Sequence, residues 1–139
     1  MSTIQKFEEI ISWQEARKLN IKVGKLIDDD KLRRNFRLVN QIEGSSGSIM
    51  DNIAEGFERS GNREFIQFLY IAKGSCGELR SQLYRCIDRN YITQTEFDEL
   101  SVQTNKINFL IQKLINYIEN SGVKGNKYKA REKTLTQTT

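Results

Sequence analysis

Residues 93–123, TQTEFDELSVQTNKINFLIQKLINYIENSGV, set the fold class. Phe97, Leu100, Thr104, Ile107, Ile111, Leu114 and Ile118 recur at alternating spacings of 3 and 4, a heptad stripe with one polar member. That period keeps one side of an α-helix apolar and leaves the other to water. Thr93 and Glu96 stand at the spacing of a capping box, and Gly122 followed by Val123 suits a Schellman ending. The segment is therefore expected to be one long amphipathic helix.

Three more segments of the same kind precede it. Phe65, Leu69, Ala72, Cys76, Leu79, Leu83 and Cys86 form the clearest, ending near Asn90, a residue that tolerates the left-handed cap conformation. Val39, Ile42, Ser46, Ile49, Ile53 and Gly56 form another. The first has Trp13, Ala16, Leu19 or Asn20, Val23 and Ile27, with Ser12 and Glu15 spaced as a capping box. Asp28, Asp29 and Asp30 then oppose the dipole of a helix end and suit the start of the next helix. The chain has no Pro, so nothing breaks these helices internally. Four such segments with short connections predict an all-α, antiparallel up–down four-helix bundle.

Composition narrows the function. The 139 residues suit one domain, and no His is present, which removes the commonest general base and metal ligand. Lys124, Lys127, Lys129, Arg131 and Lys133 against Glu132 give residues 122–139 a net charge of +4, the whole excess of the chain. The expected organisation is a bundle over 1–121 and a basic, solvated tail over 122–139, with a nucleic-acid arm as the competing reading. Cys76 and Cys86 lie about 15 Å apart along one helix, too far for a disulfide, and read as buried reduced thiols in a cytoplasmic protein. MSTIQKFEEII has no apolar leader core, and no segment has the length of a membrane span.

Two runs of small residues, Gly44-Ser45-Ser46-Gly47-Ser48 and Gly74-Ser75-Cys76-Gly77, lie at equal distances from the turn expected at Ser60-Gly61-Asn62. In an antiparallel hairpin they fall at one level. Glycine inside a helix costs about 1 kcal/mol relative to alanine, so Gly44, Gly47, Gly74 and Gly77 predict close helix packing there. A phosphate-cradling loop is the competing reading, but no Gly-Lys-Ser/Thr and no preceding strand accompany it. A second apolar stripe runs beside the first, and Met50, Phe57, Ile66, Tyr70 and Tyr84 from it are candidates for an oligomer interface, as against a wide core face.

Ser48-Ile49-x-x-Asn52-Ile53-Ala54-Glu55-Gly56-x-x-Arg59, followed by Phe65-x-x-Phe68-Leu69-x-Ile71-Ala72-x-Gly74-Ser75-x-x-Glu78-Leu79, resembles a known family. It is that of the four-helix-bundle proteins first described from intervening sequences within large-subunit ribosomal RNA genes. Phe7, Trp13 and Ala16 fit the family's opening and Gln41-Ile42 its second helix, so the likeness spans about Phe7 to Ile118. A related branch is the accessory protein of diversity-generating retroelements, which works with a reverse transcriptase and nucleic acid. The resemblance implies an up–down bundle, a homopentameric ring and no known enzymatic activity. The chain departs from it at Glu43 and Gly44, where the family commonly has two basic residues.

Asn52, Glu55, Arg59 and Glu78 form a candidate polar network that orients helices, with Glu55 and Arg59 at pairing distance. Acid–base or metal chemistry is the sharper reading, but reflection through the turn puts Glu78 near residue 43 or 44, more than ten residues along from Glu55. Lys31, Arg33, Arg34 and Arg37 crowd into seven residues, and Arg85 and Arg89 fall at their level, so six basic groups gather at one end. They are candidate nucleic-acid contacts, with Phe36, Tyr84 and Tyr91 as aromatic neighbours, against the alternative of a salt-bridged solvated end. No catalytic residue, cofactor site or metal site is expected. The function read from the chain is a non-enzymatic, self-assembling scaffold or accessory module; the alternative is an RNA- or DNA-binding accessory protein. Neither a membrane nor a small-molecule substrate is expected.

Overall fold

The computed structural model describes residues 3–121. The tail expected at 122–139 and the Schellman ending at Gly122 and Val123 lie outside the described residues. A 3-10 turn (Phe7–Glu9) leads into α1 (Ile11–Ile27), the single-turn α2 (Asp30–Arg33), α3 (Phe36–Glu58), α4 (Asn62–Asp88) and α5 (Gln94–Ser121). α3 packs against α1 and α4, α4 against α5, and α5 closes back on α1. The four long helices thus make an up–down bundle whose order around the axis is their order along the chain. No strand occurs among the described residues.

The stops and starts follow local chemistry. α4 ends in a full Schellman motif: Asn90 takes φ 59°, its N–H donates to Ile87 O (3.1 Å), and Tyr91 N–H donates to Cys86 O (2.9 Å). The capping box at α5 is present, with Thr93 N–H donating to Glu96 Oε1 (2.8 Å) and Glu96 N–H to Thr93 Oγ1 (3.1 Å). Asp29 caps α2 by accepting from Lys31 N–H (3.0 Å), so the aspartate run ends one helix and begins a short one that the apolar pattern does not reveal. Between α3 and α4 it is Ser60, with φ 70°, that occupies the left-handed region, while Gly61 is extended and accepts from Phe65 N–H.

The capping box at Ser12 and Glu15 is not formed. α1 begins earlier, with Ile10 in the cap position and no side-chain cap bond. Ser12 is instead buried, and its Oγ has no hydrogen-bond partner. Glu15 reaches sideways to Lys18 (3.2 Å) and Lys106 (3.5 Å). Ser12→Ala is therefore expected to leave stability unchanged or raise it by about 1 kcal/mol, since it removes an unsatisfied buried hydroxyl from a helix. A true cap serine would lose about 1 kcal/mol on the same change. The urea midpoint distinguishes the two.

All seven residues of the α4 stripe, Phe65 to Cys86, are buried. In α5 the buried set is Leu100, Thr104, Ile107, Ile111, Ile115 and Ile118, so the stripe steps to Ile115 where a strict heptad demands Leu114. A straight helix drifts by about 20° per heptad, and over this length the drift moves the core face by one residue.

The small runs of α3 and α4 meet at one level, but not through their glycines. An added Cβ at Gly44, Gly47, Gly74 or Gly77 meets nothing within 4 Å, which overturns the expected close packing at these four positions. Hydroxyls make the contact: Ser75 Oγ donates to Ser48 Oγ (2.8 Å), and Ser45 Oγ donates to Gln82 Oε1 (2.7 Å). Asn20 Nδ2 of α1 donates to Ser46 Oγ (2.7 Å) on the other side of α3. The close approach lies two turns further on, at Gly56, where an added Cβ would stand 2.6 Å from Phe68 Cβ and 3.0 Å from Phe65 Cδ1.

Candidate functional site

The basic residues converge in part. α2, the C-terminal end of α4 and the α4–α5 turn bring Lys31, Arg34 and Arg89 together with Asn90 and Tyr91 around an open cleft of about 420 Å3. The left-handed Asn90 folds Tyr91 back over the end of α4, and Asn35 Nδ2 donates to its hydroxyl (3.4 Å). Arg33 is drawn off by Asp30 (2.8 Å) and Arg85 donates to Gln41 Oε1 (2.9 Å), so neither lines the cleft. Arg37 is exposed beside Phe36, whose side chain is 76% accessible at the start of α3. Three cations around a concave mouth can hold a phosphate, and an exposed ring nearby can stack on a base.

The polar set on α3 and α4 is less united than its spacing suggests. Glu55 and Arg59 pair at 2.9 Å, and Glu64 adds a longer contact to the same guanidinium (3.5 Å). The hydrogen bond that Arg59 donates to the Glu55 carboxylate raises the Arg59 pKa above its ordinary value. Asn52 turns back to Ser48, donating to its carbonyl and hydroxyl at 2.8 Å. Glu78 is exposed and takes no hydrogen bond or ion pair among the described residues. These four residues therefore do not form one network: Glu55 and Arg59 are at the surface, and only Asn52 is partly covered.

The candidate interface set divides as well. Phe57 is core, 1% exposed, with its ring edge-on to Phe65 at 5.9 Å. Met50 and Ile66 are half-buried against the core. Met50 lies one turn from Ser46 and so on the α1 side of α3, whereas Tyr84 stacks edge-on against Phe97 of α5 (4.9 Å). Tyr70 and Tyr84 remain exposed, on the α5 side of α4. The five do not share one patch because the α3–α4 pair stands between them.

No nucleophile is assembled among the described residues. Burial pushes the thiols of Cys76 and Cys86 up to about 12 and about 11, against the opposing pull of Lys73 and Arg80 on the first and Arg85 and Arg89 on the second. Both are neutral thiols at physiological pH and face the core. Among the described residues no group of His, Cys, Asp and Glu is arranged to hold a metal ion. No described helix is long and apolar enough to cross a membrane.

A surface not singled out in the sequence is the seam between α1 and α5. A groove of about 820 Å3 runs there, with Ile21 and Val102 among its lining residues and Lys18, Lys22, Lys25, Asp98 and Glu99 on its banks. Of the nine large hydrophobic residues exposed among the described residues, Ile21 and Val102 line this groove. The signal was present as apolar residues two positions from the core residues on either side: Ile21 between Leu19 and Val23, and Val102 between Leu100 and Thr104.

An all-helical bundle with apolar and charged surfaces, and no assembled catalytic group among its described residues, is the class of protein defined here. The chain belongs to the 23S rRNA-intervening sequence protein family, whose model matches residues 8–113. That family's function is unknown. The fold is also that of the crystal structure of a protein with unknown function from the S23 ribosomal protein family of Bacteroides thetaiotaomicron VPI-5482. The two chains are 23% identical with a TM-score of 0.70, over 76% of this chain and 98% of that one. No curated protein matches the chain.

Proposed function

We propose that this chain is a non-enzymatic helical bundle that assembles with itself and serves as a scaffold or accessory interaction module. The observation that carries this reading is the apolar surface: nine large hydrophobic side chains stay exposed among the described residues, Ile21 and Val102 of them at the α1–α5 groove. A small bundle that worked as a monomer would present this surface to water, where contiguous apolar patches mark interaction sites. The ring of five implied by the family resemblance belongs to this proposal, as a head-to-tail arrangement in which two different patches meet. A cytoplasmic location belongs to it too, since free, buried Cys76 and Cys86 suit a reducing compartment. Co-expression of tagged and untagged full-length chains tests it. The untagged chain is expected to co-purify; its complete loss in the wash would overturn the reading.

The cleft at Lys31, Arg34 and Arg89 favours a second reading, an accessory protein that holds RNA or DNA by its phosphates. Arg34→Glu with Arg89→Glu is expected to weaken binding of a structured RNA at least about tenfold at low salt. The slope of log affinity against log salt should fall by roughly 2, one for each phosphate no longer neutralised. Fluorescence anisotropy at several salt concentrations reads both quantities, beside a chain ending at Ser121. Unchanged affinity and slope in the double variant would remove the cleft from the reading, and binding lost only with the tail would place the site beyond Ser121.

A further inference from the structure

Building on the self-assembly reading, we propose that the α1–α5 groove is the contact between two copies of this chain, related by a two-fold axis that runs along the seam. The bridge from Glu15 to Lys106 fixes the antiparallel register of the two helices. In that register Lys22 stands level with Glu99, and Lys25 with Glu96. Both rows line the groove and its continuation, a cavity of about 370 Å3 toward the α1 C-terminus that also includes Leu26 and Leu100. Lys22, Lys25, Asp98 and Glu99 nevertheless form no ion pair among the described residues, because the groove holds the banks apart.

A two-fold axis along the seam brings the α1 bank of each copy over the α5 bank of its partner at the same level. Lysines then face carboxylates at both edges, and Ile21 of each copy lies near Val102 of the other, so that these exposed apolar side chains cover each other. Rotation about any axis that keeps α1 over α1 would instead set lysine against lysine. The carboxylate bank also disfavours a polyanion, so nucleic acid is not the occupant of this groove. The contact is isologous, so it pairs single chains or pairs whole rings, and it is separate from any head-to-tail contact within a ring.

Two charge-reversed chains test the assignment: Lys22→Glu with Lys25→Glu, and Asp98→Lys with Glu99→Lys. All four positions lie at the surface, and circular dichroism should show both variants helical and folded. Each variant alone has banks of like charge and is expected to show half the wild-type mass by light scattering at equal concentration. Their equimolar mixture has complementary banks and should regain the wild-type mass. Variants that keep the wild-type mass, or a mixture that fails to recover it, would overturn the seam contact while leaving self-assembly in place. A wild-type chain of 16.2 kDa at every concentration would instead remove both proposals.

Discussion

Gly56→Ala is expected to destabilise the fold by about 2–3 kcal/mol, although alanine is the better helix former by about 1 kcal/mol. The reason is where the new methyl would stand. Its nearest neighbour, at 2.6 Å, is Phe68 Cβ, an atom fixed to the α4 backbone and beyond the reach of any rotamer change. Phe65 Cδ1 at 3.0 Å and Phe65 O at 3.4 Å close the other sides. The helices must separate, and the packing beside their connection goes with them. Gly56→Ala combined with Phe68→Ala should not recover the loss, because the obstructing Cβ is still there; recovery would show that the ring alone is in the way. Gly44, Gly47, Gly74 and Gly77 provide the opposite sign. Alanine at each meets open space and should stabilise the bundle by up to about 1 kcal/mol in urea titrations.

The other large effect is expected at Phe65, in the first turn of α4. Its ring is 1% exposed, lies edge-on to Phe57 with centroids 5.9 Å apart, and covers Gly56. Phe65→Ala removes that ring from the point where α3 and α4 converge, and should cost about 3–5 kcal/mol. Phe65→Leu keeps most of the volume and should cost less than about 1.5 kcal/mol. The urea midpoint should fall in both with the slope unchanged, since the surface exposed on unfolding barely differs. Equal losses for the two substitutions would mean that the aromatic pair with Phe57, and not filled volume, holds the junction. Gly56→Ala and Phe65→Ala act on the same pair of neighbours, so their costs are not expected to add.

The helices were legible because burial and period agree. In α4 every residue of the apolar repeat reached the core, and in α5 the repeat held until helical drift moved the face from Leu114 to Ile115. Caps were legible where the side chain had no competing demand. Thr93 and Glu96 cap each other at the exposed start of α5, whereas Ser12 is drawn inside and Glu15 toward Lys18 and Lys106. Burial works against the Glu15 carboxylate, but those two lysines together hold its pKa below the usual range.

Glycine spacing misleads because it does not say which way the residue faces. The four glycines of the small runs point outward, while Gly56, a member of the core stripe, is where the backbones crowd. A glycine at a core position of a repeat is the better signal. Among the basic residues, reflection through the turn brings Arg89 to Lys31 and Arg34, but cannot show that Asp30 and Gln41 engage Arg33 and Arg85. The α1–α5 groove was hidden for a related reason: spacing within a helix says nothing of how far apart two helices stand.

Sedimentation equilibrium of the full-length chain, from low micromolar concentration upward, tests the central claim of self-assembly most directly. The expected mass is a multiple of 16.2 kDa that rises or holds with concentration. A single 16.2 kDa species across the whole range would contradict it and leave the exposed seam for a different protein.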